Sequence, residues 1–354
     1  MAESLIKSVE KVTLTLTGTS DSVLLTQGQN HNYCVPFATW SRTDHTEAGH
    51  FIDVYMGAGP TVYAERGSSS GNAVLVIYVV EFEPAQVSIQ TGTFSYGGTS
   101  GSSAISSVDT DKTFILTYYE WSGGSGYLYD SIARSRLTSS TNIEYTRESS
   151  AGTISGHYFV VEDVGNNFTV QHVDLDIINP ATSDTVAITS VEEDKTFIIA
   201  SYYNRYGAGR ADYAAVSVWL SNATTVRAEQ QLNSSYPANS HIRAQAISFT
   251  EFGSVQRSQQ SWDAGDSTKN DTLSPAVDLA VTMAWIPVDI SIEKTNSSES
   301  QLCWFSAELT SETNIKLTRQ GTGATSTVSW EAVTWPFVIK TIPKGVIMRG
   351  VILR

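Results

Sequence analysis

A chain of 354 residues, 41% apolar and only 16% charged, has a folding composition and enough length for two to four domains. Its 36 acidic residues against 22 basic ones leave a formal charge of −14, which opposes nucleic-acid backbones and anionic membranes and favours solubility. Two cysteines, Cys34 and Cys303, without CxxC spacing exclude a disulfide-built scaffold and a thiolate metal site.

The opening "MAESLIKSVEKVTLTL" holds no apolar stretch of signal-peptide length, and no later segment reaches a membrane span. Cytoplasmic synthesis with both cysteines reduced is expected, and the sequons at Asn167, Asn222 and Asn296 read as chance. Next, "HTEAGH" places His45 and His50 in one loop beside Asp44. The spacing matches no zinc signature and lacks the helix that HExxH needs, so a polar loop is expected. The other histidines, His31, His157, His172 and His241, stand alone in the sequence. "YVVEF" with Glu81 and "VSIQ" with Gln90 follow, and then "SYGGTSGSS" (Ser95 to Ser103), which reads as a linker between modules.

"VDTDKTFILTYY" from Val108 returns as "VEEDKTFIIASYY" from Val191, which signals an internal repeat. "LTSSTNIEYTR" ends at Arg147, with counterparts ending at Arg66, Gln230 and Arg319. Glu81, Glu162, Glu251 and Thr334 mark a second landmark, and Gln90, Gln171, Gln256 and Lys340 a third. Trp40 and Trp121, 81 residues apart, lay "NYCVPFATW" over "TFILTYYEW". Segments such as "VRAEQQL" alternate with period two and none carries a helical stripe, so the expected class is all-β. Four tandem antiparallel β-modules of about 83 residues, β-sandwich-like with about six strands each, are expected at 1–92, 93–176, 177–263 and 264–354. Module length favours a string of modules, with a closed propeller-like ring as the alternative.

"DTDK" and "EEDK" read as solvated hairpin turns, since a calcium loop needs more oxygen ligands at close spacing. The recurring Glu81, Glu162 and Glu251 read as strand-end acids accepting a hydrogen bond from a neighbouring turn, because one enzyme rarely needs several equivalent acids. No GxSxG elbow is present, and the glycine runs "SGGSGYLYD" and "RYGAGRADY" precede no helix. They read as long hairpin tips whose tyrosines, Tyr127, Tyr129, Tyr206 and Tyr213, are the candidate contact residues for a glycan or a partner protein. No catalytic residue, metal site or cofactor is expected.

The order of these motifs, an acidic turn with "KTFI", then "LTSSTNI…R", then "VVEF…VSIQ", resembles the tandem β-repeats of tailed-bacteriophage virion proteins of capsid decoration, head-fibre, collar or tail-appendage type. The resemblance covers most of the chain and thins in the fourth copy. It implies a non-enzymatic structural component of the virion, made in the host cytoplasm and docked in many copies, often as trimers. Other virion proteins and further copies of the chain are the partners it implies. A carbohydrate- or receptor-binding β-protein using the Gly/Tyr tips is the alternative. The start "MAESLIKSVEKV" and the apolar, basic end "IPKGVIMRGVILR" are candidate docking elements, the latter alternatively a last strand of the fourth module.

Overall fold

The computed structural model describes residues 4–26, 30–43, 51–123, 128–205, 215–230, 239–288, 292–293, 304–323 and 325–337. Over these the chain is all-β, and one six-stranded unit occurs four times. The first unit comprises β1 (Ile6–Leu16), β2 (Ser20–Leu24), β3 (Cys34–Arg42), β4 (Asp53–Met56), β5 (Thr61–Glu65) and β6 (Ala73–Phe82). The second comprises β7 (Val87–Tyr96), β8 (Ser100–Ala104), β9 (Thr113–Ser122), β10 (Arg134–Ser139), β11 (Asn142–Thr146) and β12 (Thr153–Asp163). The third comprises β13 (Phe168–Ile177), β14 (Ser183–Ala187), β15 (Thr196–Arg205), β16 (Val216–Asn222), β17 (Thr225–Gln230) and β18 (Asn239–Phe249). The fourth comprises β19 (Ser254–Trp262), β20 (Thr268–Thr272), β21 (Thr282–Trp285) with β22 (Ile292–Glu293), β23 (Ser306–Ser311), β24 (Asn314–Thr318) and β25 (Ser326–Thr334).

In every unit the sixth strand runs antiparallel between the first and the third, and the fifth runs between the second and the fourth. The residue patterns follow from those positions. Middle strands of the small sheets, such as "NIEYT" and "NIKLT", bury alternate residues, as half-covered strands do. The middle strand β6, "AVLVIYVVEF", is covered on both faces and is apolar almost throughout.

Register corrects several expectations. β8 and β9 belong to different sheets, so "DTDK" is not a hairpin turn. Thr110–Lys112 is a 3-10 turn that carries the chain from the small sheet to the large one, and Glu193–Lys195 does the same in the third unit. β9 and β10, and β15 and β16, belong to different sheets, so the strands on either side of the glycine runs 122–130 and 205–213 are not the paired arms of a hairpin; most residues of the two runs lie outside the described residues. Ser95 to Ser103 is the end of β7, a turn and most of β8, and lies inside the second unit. β7 pairs with β12, so the units meet at residues 83–86, 164–167 and 250–253. Cys34 faces Glu81 as Thr113 faces Glu162, which matches Cys34 to Thr113 and Trp40 to Tyr119. The Trp40–Trp121 superposition is thus two residues out of register, a slip that preserves which face is buried and is invisible to hydrophobic pattern. Glu251 lies beyond β18, and Ser248 holds the position of Glu81 and Glu162. Those two glutamates do accept from a neighbouring turn: Glu81 from Asn30 N at 3.2 Å and Glu162 from Asp109 N at 2.8 Å.

The repeated "…R" landmark is a buried staple. Arg147, 2% exposed, donates to the carbonyls of Gly98, Asp130, Ala151 and Gly152. Arg66 binds those of Gly18, Leu16, Ser70 and Gly71, and Arg319 those of Asp263 and Asp266. A planar fork of donors suits several converging carbonyls. The glutamine landmark is a clamp: Gln90 brackets both backbone groups of Ser106, Gln171 those of Thr189, and Gln256 spans Ser274 N and Pro275 O. In the first unit Glu10 takes the place, accepting from Thr26 N and Oγ1.

The modules do not form a string. Leu5 N donates to Pro336 O at 3.1 Å and Val9 N to Ala280 O at 3.0 Å, so the first unit packs on the fourth. Ile6–Leu16, which takes in most of the opening segment, is therefore a strand built into the first unit. Phe37, Phe114, Phe197, Phe249 and Trp335 from all four units meet with centroids 5.5–6.5 Å apart and fill the centre of the ring. All six strand positions of the fourth unit are occupied by residues up to Thr334, so the segment beyond 337 is not needed to complete it.

Candidate functional site at the module junctions

The third strand of each unit is a sheet edge, and its outward peptide groups would be buried unpaired against the next unit. One position on the sixth strand supplies their partners. Gln245, 4% exposed, accepts from Ile115 N and donates to Ile115 O, both at 2.8 Å. At the next junction Glu331 accepts from Ile198 N, and Trp285 Nε1 donates to Ile198 O. At ring closure Tyr78 Oη accepts from Leu309 N, on the fourth strand of the fourth unit, at 2.7 Å. The remaining junction breaks the pattern for a clear reason. Pro36 has no N–H, the matching sixth-strand residue is the apolar Phe159, and Tyr118 instead donates to Pro36 O and accepts from Ala38 N. Ser201 with Ser135, and Thr39 with Ala307 N, add a second contact of the same kind.

Two open grooves lie beside these contacts. The larger, about 880 Å³, runs between the second and third units. The five consecutive residues Thr169 to Val173 line it, so it is walled by the free edge of β13, opposite Leu137 to Ser140. His172 Nε2 donates to Thr110 O at 3.1 Å and Thr113 O at 3.0 Å, which fixes the Nε2–H tautomer. Burial, and then the Arg243 charge, hold the His172 imidazole below its ordinary range. Arg243 pairs with Asp174 at 3.0 Å, and Arg134 approaches the same carboxylate at 3.9 Å. At the next junction Arg257 takes the place of His172, donating to the Glu193 and Thr196 carbonyls and to Glu331. Burial pushes the Glu331 carboxyl up, and Arg257 pulls it back.

The smaller groove, about 290 Å³, lies between the first and second units and is lined by His31, Tyr55, His157 and Tyr158 among others. Buried Asp53 accepts from His157 Nδ1 at 2.7 Å and from its backbone N–H at 3.2 Å. The Tyr55 ring stacks on the imidazole at 4.0 Å and its hydroxyl donates to Glu65 at 2.8 Å. Burial raises Asp53 above the usual carboxylate range, opposed by His157. This is a locked structural pair: Asp53 is 4% exposed and both its oxygens are occupied.

Of the tyrosines singled out in the sequence, Tyr127, Tyr206 and Tyr213 lie outside the described residues, as do His45, His50 and Cys303. Tyr129 falls in the short helix Leu128–Ser131, with its side chain outside the described set. His241 pairs with Asp176 within the third unit at 2.6 Å. Cys34 is buried, its thiol pushed up to about 12 by desolvation and then by Glu81. Among the described residues no group of three or more His, Cys, Asp or Glu could hold a metal, and no helix is long and apolar enough to cross a membrane. The junction residues escaped sequence reading because partners such as Asp53 and His157 are 104 positions apart. Their only trace is that the matching positions in the next unit hold Arg134 and Arg243.

No protein-family model matches the chain, and no curated protein matches it.

Proposed function

We propose that this protein is a non-enzymatic structural component of a tailed-phage virion, present in many copies on a capsid, collar or tail. The observation that carries the reading is where the recurring polar residues go. The arginine staples and glutamine clamps are consumed inside each unit, and the sixth-strand contacts in holding the four units in one ring. What is left outward is a rigid, acidic, hydroxyl-rich surface suited to display and docking. Its partners are other virion proteins and further copies of itself, with a trimer favoured; the net charge of −14 opposes nucleic acid and anionic membranes. The test is particle association. An antibody against the purified protein should decorate density-banded particles, from a culture that makes the chain, at many copies each. Label confined to the particle-free supernatant would contradict the proposal.

A carbohydrate-binding role is the second reading, favoured by the groove of about 880 Å³ beside His172 and Arg243. His172 Nδ1 and Arg243 Nε are buried there without a protein partner. Neutral oligosaccharides should then shift the NMR signals of Thr138, Ser139 and His172; an unperturbed spectrum at millimolar sugar would rule the groove out.

A further inference from the structure

The ends of the sixth strands and the starts of the first strands converge on one face of the ring. The connectors there bond to one another: Glu83 N to Leu5 O, Val164 N and Gly165 N to Gln86 O, Thr250 N to Asn167 O, and Leu5 N to Pro336 O. The 3-10 turns border the same face, since Lys112 Nζ donates to Asn166 Oδ1 on a connector. This face combines two features that rarely stay bare. Among the described residues, four of the six exposed large apolar side chains lie on it, namely Val164 (53%), Phe252 (50%), Leu279 (42%) and Phe337 (40%). Around them stand the exposed acids Asp109, Asp111, Glu192, Glu193, Asp194, Glu251 and Asp278. The lysines nearby are engaged: Lys195 with Glu192, Lys7 with Glu81, and Lys112 with Asn166.

The described chain ends at Phe337, on this same face, and the sequence beyond it is complementary to the face in both respects. Residues 338–354, "VIKTIPKGVIMRGVILR", carry Lys340, Lys344, Arg349 and Arg354, no acid, and nine apolar side chains. In an otherwise acidic protein this is the one long basic and apolar stretch. Seventeen residues reach up to about 56 Å when extended, enough to cross the face. Attachment at Phe337 gives the segment an effective concentration on the order of millimolar, so binding to its own ring outcompetes binding to another copy at ordinary concentrations.

We infer that residues 338–354 dock across the connector face of their own ring, with the cations among the acids of the 3-10 turns and the apolar side chains over Val164, Phe252 and Leu279. The inference does not depend on the virion reading. The experiment is carbodiimide cross-linking, read by mass spectrometry, on an equimolar mixture of ¹⁴N- and ¹⁵N-labelled protein. The expected products join Lys340 or Lys344 to Glu192–Asp194, Glu251 or Asp278 within one isotopic species, and fade as salt is raised. Products joining the two isotopic species would assign the face to a second copy and overturn the inference, and so would the absence of any product from these lysines. A chain ending at Phe337 should bind several-fold more of the dye ANS with an unchanged far-ultraviolet spectrum. Should that truncation fail to fold, the full-length charge reversal K340E/K344E/R349E should raise dye binding in the same way. Dye binding equal to wild type in a folded variant would overturn the inference.

Discussion

Gln245→Leu removes the side chain that satisfies both backbone groups of Ile115 across the second junction while keeping its volume nearly constant. Two buried peptide groups are left without partners, each at a cost of about 1–3 kcal/mol. Leucine's better transfer free energy offsets part of this, so a net loss of about 2–5 kcal/mol is expected. For a cooperative unit of this length the unfolding entropy is about 0.74 kcal/mol/K, which converts the loss to a Tm lowered by about 3–7 °C. Calorimetry measures the shift, and hydrogen exchange at the Ile115 amide locates it. Gln245→Glu should be no better, because the buried carboxylate loses the donor to Ile115 O, and the place that Arg257 holds at the next junction is taken here by His172, whose protonation burial disfavours. A Tm within 1 °C of wild type, with Ile115 still protected, would refute the reasoning that these contacts hold the junction.

Arg147→Met should cost about 2–4 kcal/mol in urea unfolding, since four carbonyls lose their donor, and Arg147→Lys should recover only part of it. Gly156→Ala places a Cβ 2.1 Å from Tyr118 O and 2.6 Å from Tyr119 Cα, so it should fail to accumulate as folded protein or melt many degrees lower. His172 has a folded pKa below its ordinary 6.5, so the unfolded chain takes the proton first; stability at this site is complete above pH 6.5 and is lost as pH falls through the window beneath it. His172→Gln should flatten that part of the stability–pH curve between pH 7 and 5, and an identical slope would contradict the assignment. With its thiol buried and pushed up to about 12, Cys34 should resist iodoacetamide at pH 8 until the protein is unfolded; labelling at the rate of a free peptide thiol would show the first unit to be open.

Much of the fold could be read from the residues because the repeat forces the same physics to be written four times. Alternation marked the strands, and the landmarks ending at Arg66, Arg147, Gln230 and Arg319 marked one structural position, although only burial reveals that the arginines are carbonyl staples. Register and ring closure were not legible. A two-residue slip leaves hydrophobic alternation intact, so Trp40 was laid on Trp121 when hydrogen bonding puts it on Tyr119. The closing contacts are long-range peptide-to-side-chain bonds, Leu309 N to Tyr78 and Lys11 to Leu309 O, whose members carry no local motif. The acid turns misled for a related reason: "DTDK" has turn composition whether it joins paired strands or crosses between sheets, and only strand pairing tells the two apart.

Small-angle X-ray scattering of the monomer tests the closed ring most directly. Four units packed into one body of this length give a radius of gyration of about 21 Å. A value near that figure, with a bell-shaped distance distribution, is the expected result. A radius above about 30 Å with an extended tail of distances would mean that the first and fourth units do not meet, and the account of the junctions would fall with it.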